Sequence, residues 1–334
     1  MILVTGGTGL VGSHLLLDLT KQDIRVRATY RNPEKLEQVK EVFSFYSENV
    51  DQLFALIEWV KADITDIPSL KPCFEGITKV YHCAALISFD PNDYDKLKKT
   101  NIEGTANIVN LSISQRVEKL CYVSSIAALG EKRDGQFITE EATWNVEADN
   151  DCYAISKYGA EIEVWRGSQE GLNMAIVNPG VIIGAGFWDS PSGQLFTAAA
   201  RGFKYKVPGV TGYADVKDVC KALLMLMESN KQNERYILVA ENRSFESICK
   251  KIAVECDSEP PSITLKNWMI QLAWRLDWFR HFVFRKKRRL TKQLTHTAWS
   301  LTYFSNEKIT KALNFNFNPI DDTIEEVAAK LMKD

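Results

Sequence analysis

Met1-Ile2-Leu3-Val4, followed at once by Thr5-Gly6-Gly7-Thr8-Gly9-Leu10-Val11-Gly12, decides the fold of this chain. The four opening residues read as a short buried strand, and Leu15, Leu16 and Leu19 then recur at helical spacing. The glycines therefore occupy a strand-to-helix turn. A nucleotide pyrophosphate needs such a turn, because glycine lets the backbone bend tightly and approach the phosphates. The helix start, here Leu10 and Val11, offers unpaired N–H groups to negative charge. Gly7, Gly9 and Gly12 fit G-x-G-x-x-G, while Gly6, Gly9 and Gly12 fit the wider G-x-x-G-x-x-G. Glycine can also serve packing alone, but the strand and helix on either side favour a cofactor.

Outward from this turn, short apolar runs alternate with helical patterns. The expected strands are Ile2–Thr5, Ile24–Thr29, Ile57–Ala62, Lys79–Cys83, Lys119–Val123 and Met174–Val177, with helices notably at Thr100–Gln115 and Tyr153–Glu170. That alternation implies an α/β, Rossmann-type doubly wound parallel sheet with right-handed crossovers. Ligands on such sheets sit beyond the carboxyl ends of the strands. Past Pro179 the rhythm breaks into a loop-rich passage, then helical patterns at Gly193–Gly202 and Asp215–Met227 and a strand at Tyr236–Val239. We expect residues 1–180 to form the dinucleotide-binding domain, with 214–240 returning to it. Residues 181–213 and 241–334 form a smaller, mostly helical substrate-side lobe.

The 334 residues carry a net charge of −2, with 45% hydrophobic and 25% charged residues, the balance of an ordinary globular protein. A nucleic-acid partner would call for a basic surface and is not expected. Seven cysteines without a C-x-x-C pair indicate neither a disulfide framework nor a metal site. They suit a reducing cytoplasm. A strand beginning at Met1 leaves no room for a signal peptide, and no run of about 18 residues is apolar enough to span a bilayer.

Cofactor choice is read about 20 residues past the glycine turn, where an acidic residue would bind the ribose of NAD. Here the second strand ends Thr29-Tyr30-Arg31-Asn32-Pro33, without a carboxylate. Arg31, a planar and permanently charged fork, suits a 2′-phosphate, so NADP(H) is expected over NAD(H). The alternative is a solvated arginine. Asp63 and Ile64 follow the third strand where an adenine would lie, although Asp63 could equally cap a helix. Ala84 and Ala85, after the fourth strand, are small enough for the cofactor to cross. His82 reads as a core histidine.

The fifth strand leads into Ser124-Ser125, and the next helix opens Tyr153-Ala154-Ile155-Ser156-Lys157. Tyr153 and Lys157, four apart, share a helix face. A neighbouring ammonium would draw the phenol from its ordinary pKa of about 10 towards neutrality, fitting it to exchange a proton with a carbonyl or alcohol oxygen. Tyr94/Lys98 and Tyr213/Lys217 repeat the spacing but lack the strand-end context, and we expect both on solvated surface.

With these pieces in hand, the chain resembles the extended short-chain dehydrogenases/reductases, also grouped as NAD-dependent epimerases/dehydratases. The resemblance is carried by the glycine turn, Asp63, Ala84-Ala85, Asn101-Ile102-Glu103-Gly104-Thr105, Ser124-Ser125, Tyr153/Lys157 and Asn178-Pro179-Gly180, in that order. It implies Tyr153 as general acid/base and Lys157 as the residue that holds the nicotinamide ribose and lowers the phenol's pKa. Ser125 would bind the substrate oxygen and Asn101 support the active-site helix, with cofactor contacts extending to Asn178 and Pro179. Val26–Pro33 and Asn178-Pro179 resemble dihydroflavonol and cinnamoyl-CoA reductases, and Leu290–Pro319 resembles 3β-hydroxysteroid dehydrogenase-like members. The resemblance implies an NADP(H)-dependent oxidoreductase acting on a carbonyl or secondary alcohol of an apolar small molecule. Two alternatives stay open: a sugar-nucleotide epimerase or dehydratase on the same fold, and a dinucleotide-sensing protein with little turnover. A homodimer is compatible with either.

In the C-terminal lobe, Leu265, Trp268, Met269, Leu272, Leu276, Phe279 and Val283 form one helical stripe, with Trp274 and Trp278 beside it and Arg285-Lys286-Lys287-Arg288-Arg289 after it. The stripe is expected to pack inwards or cover the substrate pocket, leaving the outer tryptophans partly exposed. Membrane-surface contact is the less favoured reading, because Lys266, Arg275, Asp277 and Arg280 interrupt the helix.

Overall fold

The computed structural model describes residues 1–130, 136–266, 268–269, 272–277 and 298–333. Its centre is a seven-stranded, all-parallel sheet in the order β10-β6-β5-β4-β1-β2-β3. These strands are β1 Ile2–Thr5, β2 Val26–Tyr30, β3 Ile57–Lys61, β4 Lys79–His82, β5 Lys119–Val123, β6 Met174–Pro179 and β10 Glu234–Leu238. Every residue of β5 and β6 is buried, as expected of parallel strands covered on both faces. Side chains alternate between those faces. Val4, Tyr81, Cys121 and Val177 join Leu15, Leu16 and Leu223 on one side, under α1 (Leu10–Lys21) and α9 (Val216–Glu228). Leu3, Val80, Leu120 and Ile176 join Ile108 and Val164 on the other, under α6 (Gly104–Ser114) and α7 (Cys152–Gln169).

Three boundaries differ from the sequence expectation for identifiable reasons. β2 begins at Val26 rather than Ile24. The end of α1 takes those residues, with Asp23 left-handed at φ 59° and the Ile24 N–H donating back to the Leu19 carbonyl. The helix expected from Thr100 is already under way at Tyr94, and Lys98–Glu103 within it is a π turn. Tyr213, expected on solvated surface, is only 1% exposed and lies in β9 (Val210–Asp215). That strand sits between β7 (Val181–Ile183) and β11 (Glu241–Ser244), so the Tyr213/Lys217 spacing runs from strand to helix rather than along one helix. Tyr94, by contrast, is exposed.

The lobe around this second sheet has its own core, in which Phe196, Tyr213, Ile248, Ile252 and Ile324 meet. Of the described residues of the aromatic stripe, Leu265 and Met269 are half-buried and the other three face outwards. Trp268, Leu272 and Leu276 are 63%, 49% and 60% exposed, while Asp277 is buried and Trp274 half-buried. Trp278, Phe279, Val283 and the Arg285–Arg289 run lie outside the described residues. Among the described residues no helix is long and apolar enough to cross a membrane.

Candidate active site

At the carboxyl end of β1 the glycine turn closes on itself. The Gly9 N–H donates to the Gly6 carbonyl at 3.0 Å, and Gly6 adopts φ +70°. A Cβ on Gly12 would fall 2.1 Å from the Gly6 oxygen, and one on Gly6 would meet the Ala84 backbone at 2.6 Å. Gly7 faces only side chains, so Gly6, Gly9 and Gly12 form the working register. Gly9 is the N-cap of α1, with no side-chain cap and no acidic residue in the first turn. The N–H groups of Leu10, Val11 and Gly12 are thus left for an anion.

A cleft opens from this turn across the strand ends. Gly6, Gly9, Tyr30, Arg31, Ile64, Ala84 and Ala85 line it, together with Lys35, which sequence reasoning missed. Lys35 opens α2 (Lys35–Ser44), at the far end of the short link that Arg31 begins. Asp63 turns elsewhere: its Oδ1 accepts from the Thr65 N–H and hydroxyl at 2.9 Å, and its Oδ2 lies 3.6 Å from Arg31. Burial would raise that carboxyl's pKa, but the Thr65 bonds and the Arg31 charge hold it below the ordinary value. The residues present fit a dinucleotide: a turn that admits no Cβ at Gly6 or Gly12, free helix N–H groups, and two cations at the far end.

Across the sheet, β5 ends in Ser124 and Ser125, and α7 starts at Cys152 with Asp151 as its cap. Ser125, whose Oγ accepts from the Ala127 N–H at 3.1 Å, stands beside the Tyr153 phenol, and the Phe89 ring stands edge-on to Tyr153 at 5.6 Å. Lys157, one turn further on, is 1% exposed; its ammonium donates to the Tyr122 hydroxyl at 2.7 Å and the Val123 carbonyl at 2.9 Å. The electrostatics reverse the sequence expectation. Burial pushes the Tyr153 phenol up to about 12, with the neighbouring Ser125 hydroxyl pulling the other way. Burial also lowers Lys157 to about 7, opposed by Glu161 and Cys83. In the protein alone, Lys157 spends its charge on Tyr122 and Val123 rather than on the phenol.

Asn101 is fully engaged. Its Oδ1 accepts from the Leu86 N–H at 2.7 Å, and its Nδ2 donates to the Leu86 carbonyl and to Ser156 Oγ, both at 2.9 Å. It pins the loop after β4 to the first turn of α7. Asn178 and Pro179 are buried at the end of β6, where Asn178 Nδ2 donates to the Ser125 carbonyl and to Glu161. Glu161 was not foreseen either. Its buried carboxylate also accepts from Ser124 Oγ at 2.6 Å and pairs with Arg235 at 3.0 Å, so two strand ends hang from one residue of α7. His82 is a core histidine, as expected, fully buried between Thr5 and Thr105. Among the described residues no cluster is able to hold a metal.

A doubly wound sheet, a phosphate-binding turn and a tyrosine–lysine helix at its strand ends define a Rossmann-type nucleotide-binding enzyme. The chain belongs to the NAD-dependent epimerase/dehydratase family, whose model matches residues 2–239. It is 31% identical over 286 residues to a putative dihydroflavonol 4-reductase of Synechocystis, covering 81% of this chain and 77% of that one. It is 26% identical to cinnamoyl-CoA reductase 1 of Petunia hybrida, covering 71% and 72%. Among solved structures, gox2253 superposes with a TM-score of 0.80 at 26% identity, covering 100% and 98%. The NAD complex of WbmG from Bordetella bronchiseptica superposes with a TM-score of 0.75 at 16% identity, covering 99% and 94%, a likeness of fold. Family membership makes the chain an NAD(P)-dependent enzyme of the reductase, epimerase or dehydratase kind.

Proposed function

We propose that this protein is an NADP(H)-dependent reductase or dehydrogenase acting on a carbonyl or secondary alcohol of an apolar small molecule. The observation that carries the reading is the placing of the Tyr153 phenol beside Ser125 at the strand ends, with the buried Lys157 one turn along the same helix. A bound nicotinamide would supply or receive the hydride. Tyr153, held protonated by burial, gives its proton to the substrate oxygen in the reductive direction, while Ser125 orients that oxygen. Lys157, brought to bear on the phenol, stabilises the phenolate left behind.

Arg31 and Lys35 support NADP(H), since both line the nucleotide cleft and no carboxylate does so among the described residues. Phe89 against Tyr153 supports an apolar substrate. The test is turnover of NADPH with a panel of ketones, aldehydes and sugar nucleotides, for the wild type and for Tyr153→Phe. We expect reduction of apolar carbonyls, falling by at least about a hundredfold in the variant, with NADPH affinity nearly unchanged. Full turnover by Tyr153→Phe would remove the proton-transfer role. Turnover confined to sugar nucleotides would move the protein to the epimerase side of its family.

A further inference from the structure

The Lys157 side chain is buried, yet both partners of its ammonium are neutral: the Tyr122 hydroxyl at 2.7 Å and the Val123 carbonyl at 2.9 Å. A buried charge with no opposite charge nearby is costly. Among the described residues, the carboxylate that acts on this ammonium is Glu161, four residues further along α7 and so on the same helix face. Glu161 is 2% exposed, and both of its oxygens are occupied. Oε2 accepts from Ser124 Oγ at 2.6 Å and from Asn178 Nδ2 at 2.8 Å. Oε1 accepts from Arg235 at 3.0 Å and from Trp165 Nε1 at 3.4 Å. The Asn178 amide is fixed in orientation, because the same nitrogen also donates to the Ser125 carbonyl at 3.0 Å. Arg235 directs its other nitrogens to the carbonyls of Glu140 and Ala142. The carboxylate is thus tied to the residue after β5, to the end of β6 and to β10. It acts on the ammonium across space rather than by contact.

We propose that Glu161 is a positioning residue: anchored at three strands, its carboxylate is the fixed counter-charge that keeps Lys157 in the site as a cation. The catalytic meaning of this relation rests on the function proposed above, but the relation itself does not. The other titratable groups around Lys157 are Tyr122 from β5, His82 and Cys83 at the end of β4, and Tyr153 from its own helix, with Arg235 beyond Glu161. Burial holds His82 neutral by lowering it to about 3, and holds Cys83 and Tyr153 protonated by raising each to about 12. Tyr122 is pushed higher still, so none of these four can take the place of Glu161. Burial pulls Lys157 itself down to about 7, and Glu161 opposes that pull. Without the carboxylate, the ammonium gives up its proton at lower pH.

Two readouts test this. The first is the titration of Lys157, followed through its ¹³Cε resonance in lysine-labelled protein and assigned by the loss of that signal in Lys157→Met. In Glu161→Gln the midpoint should fall about one pH unit below that of the wild type. If that variant does not fold, Glu161→Gln/Arg235→Met removes the buried pair together and should move the midpoint the same way, because Glu161 and not Arg235 acts on Lys157. An unmoved midpoint overturns the proposal. The second readout is NADPH affinity relative to the wild type. A midpoint one pH unit lower predicts a loss of about tenfold for Glu161→Gln at pH 8 and little loss at pH 5.5, where Lys157 is charged in both proteins. In the Lys157→Met background Glu161→Gln should have no further effect. A loss of equal size at both pH values would mean that Glu161 only braces the strand ends, and would overturn the counter-charge. Unchanged affinity in Lys157→Met would instead overturn the functional reading, while the Lys157 midpoint would still decide the role of Glu161.

Discussion

Arg31 and Lys35 lie at opposite ends of the link between β2 and α2, and both face the nucleotide cleft. Arg31 is two-thirds exposed and already shares its charge with Asp63, so neither cation can be worth the full strength of a buried pair. Arg31→Ala and Lys35→Ala should each weaken NADPH binding by about tenfold and leave NADH binding nearly unchanged, as read by fluorescence titration. Equal affinity of the wild type for both cofactors would take these residues out of the site. Arg31 was legible because the sequence offers no carboxylate where one is expected. Lys35 was not, because a lysine at a helix start is usually solvated. The rest position of Lys157 was hidden for another reason. Spacing along α7 put it beside Tyr153, and only the sheet packed underneath brings Tyr122 within 2.7 Å.

Most elements were legible because their patterns are local. A strand buried on both faces reads as a short apolar run, and β1 and β5 fall where the residues put them. The glycine turn adds a strong local constraint, which yields an element-scale prediction. Gly12→Ala places a methyl 2.1 Å from the Gly6 oxygen, so α1 must lift from the turn. Loss of NADPH binding should accompany a destabilisation of about 1–3 kcal/mol, seen in thermal melts followed by circular dichroism. Gly7→Ala meets only side chains, at 3.0 Å and beyond, and should bind NADPH far better than Gly12→Ala. Trp268, Leu272 and Leu276 lie exposed against the expectation of inward packing, because helical periodicity says only which residues share a face. It does not say which face another element needs, and Phe196, Ile248 and Ile324 had already closed that core.

On the scale of the whole molecule, buried ionisable groups tie stability to pH. Burial raises Asp18, half-buried on α1, to about 6, against the opposing charges of Lys21 and Lys217. A carboxyl raised in the fold takes up its proton more readily there than in the unfolded chain. Its ionisation therefore costs stability above about pH 6, and the cost disappears as pH falls towards the unfolded value near 4. Asp18→Asn should raise the melting temperature at pH 8 and leave little gain at pH 4. A gain of equal size at both pH values would mean the carboxylate carries no such cost. The molecule is also knitted across its two larger sheets. Asn318 donates to Asp218 and Asp215, and Ile309 and Phe315 from the last quarter of the chain bury against the first-sheet core.

The π turn at Lys98–Glu103 carries one residue more than an α-helical path would need, and Asn101 stands within it. A helix cannot absorb the loss of that residue by local repair. Excising one position would restore ordinary winding and turn everything on one side of the cut by about 100°. Asn101 would swing away from Leu86 and Ser156, uncoupling the loop after β4 from the helix that bears Tyr153. The site is therefore set by length as well as by identity, and a one-residue deletion here should be harsher than any conservative exchange at Asn101 itself.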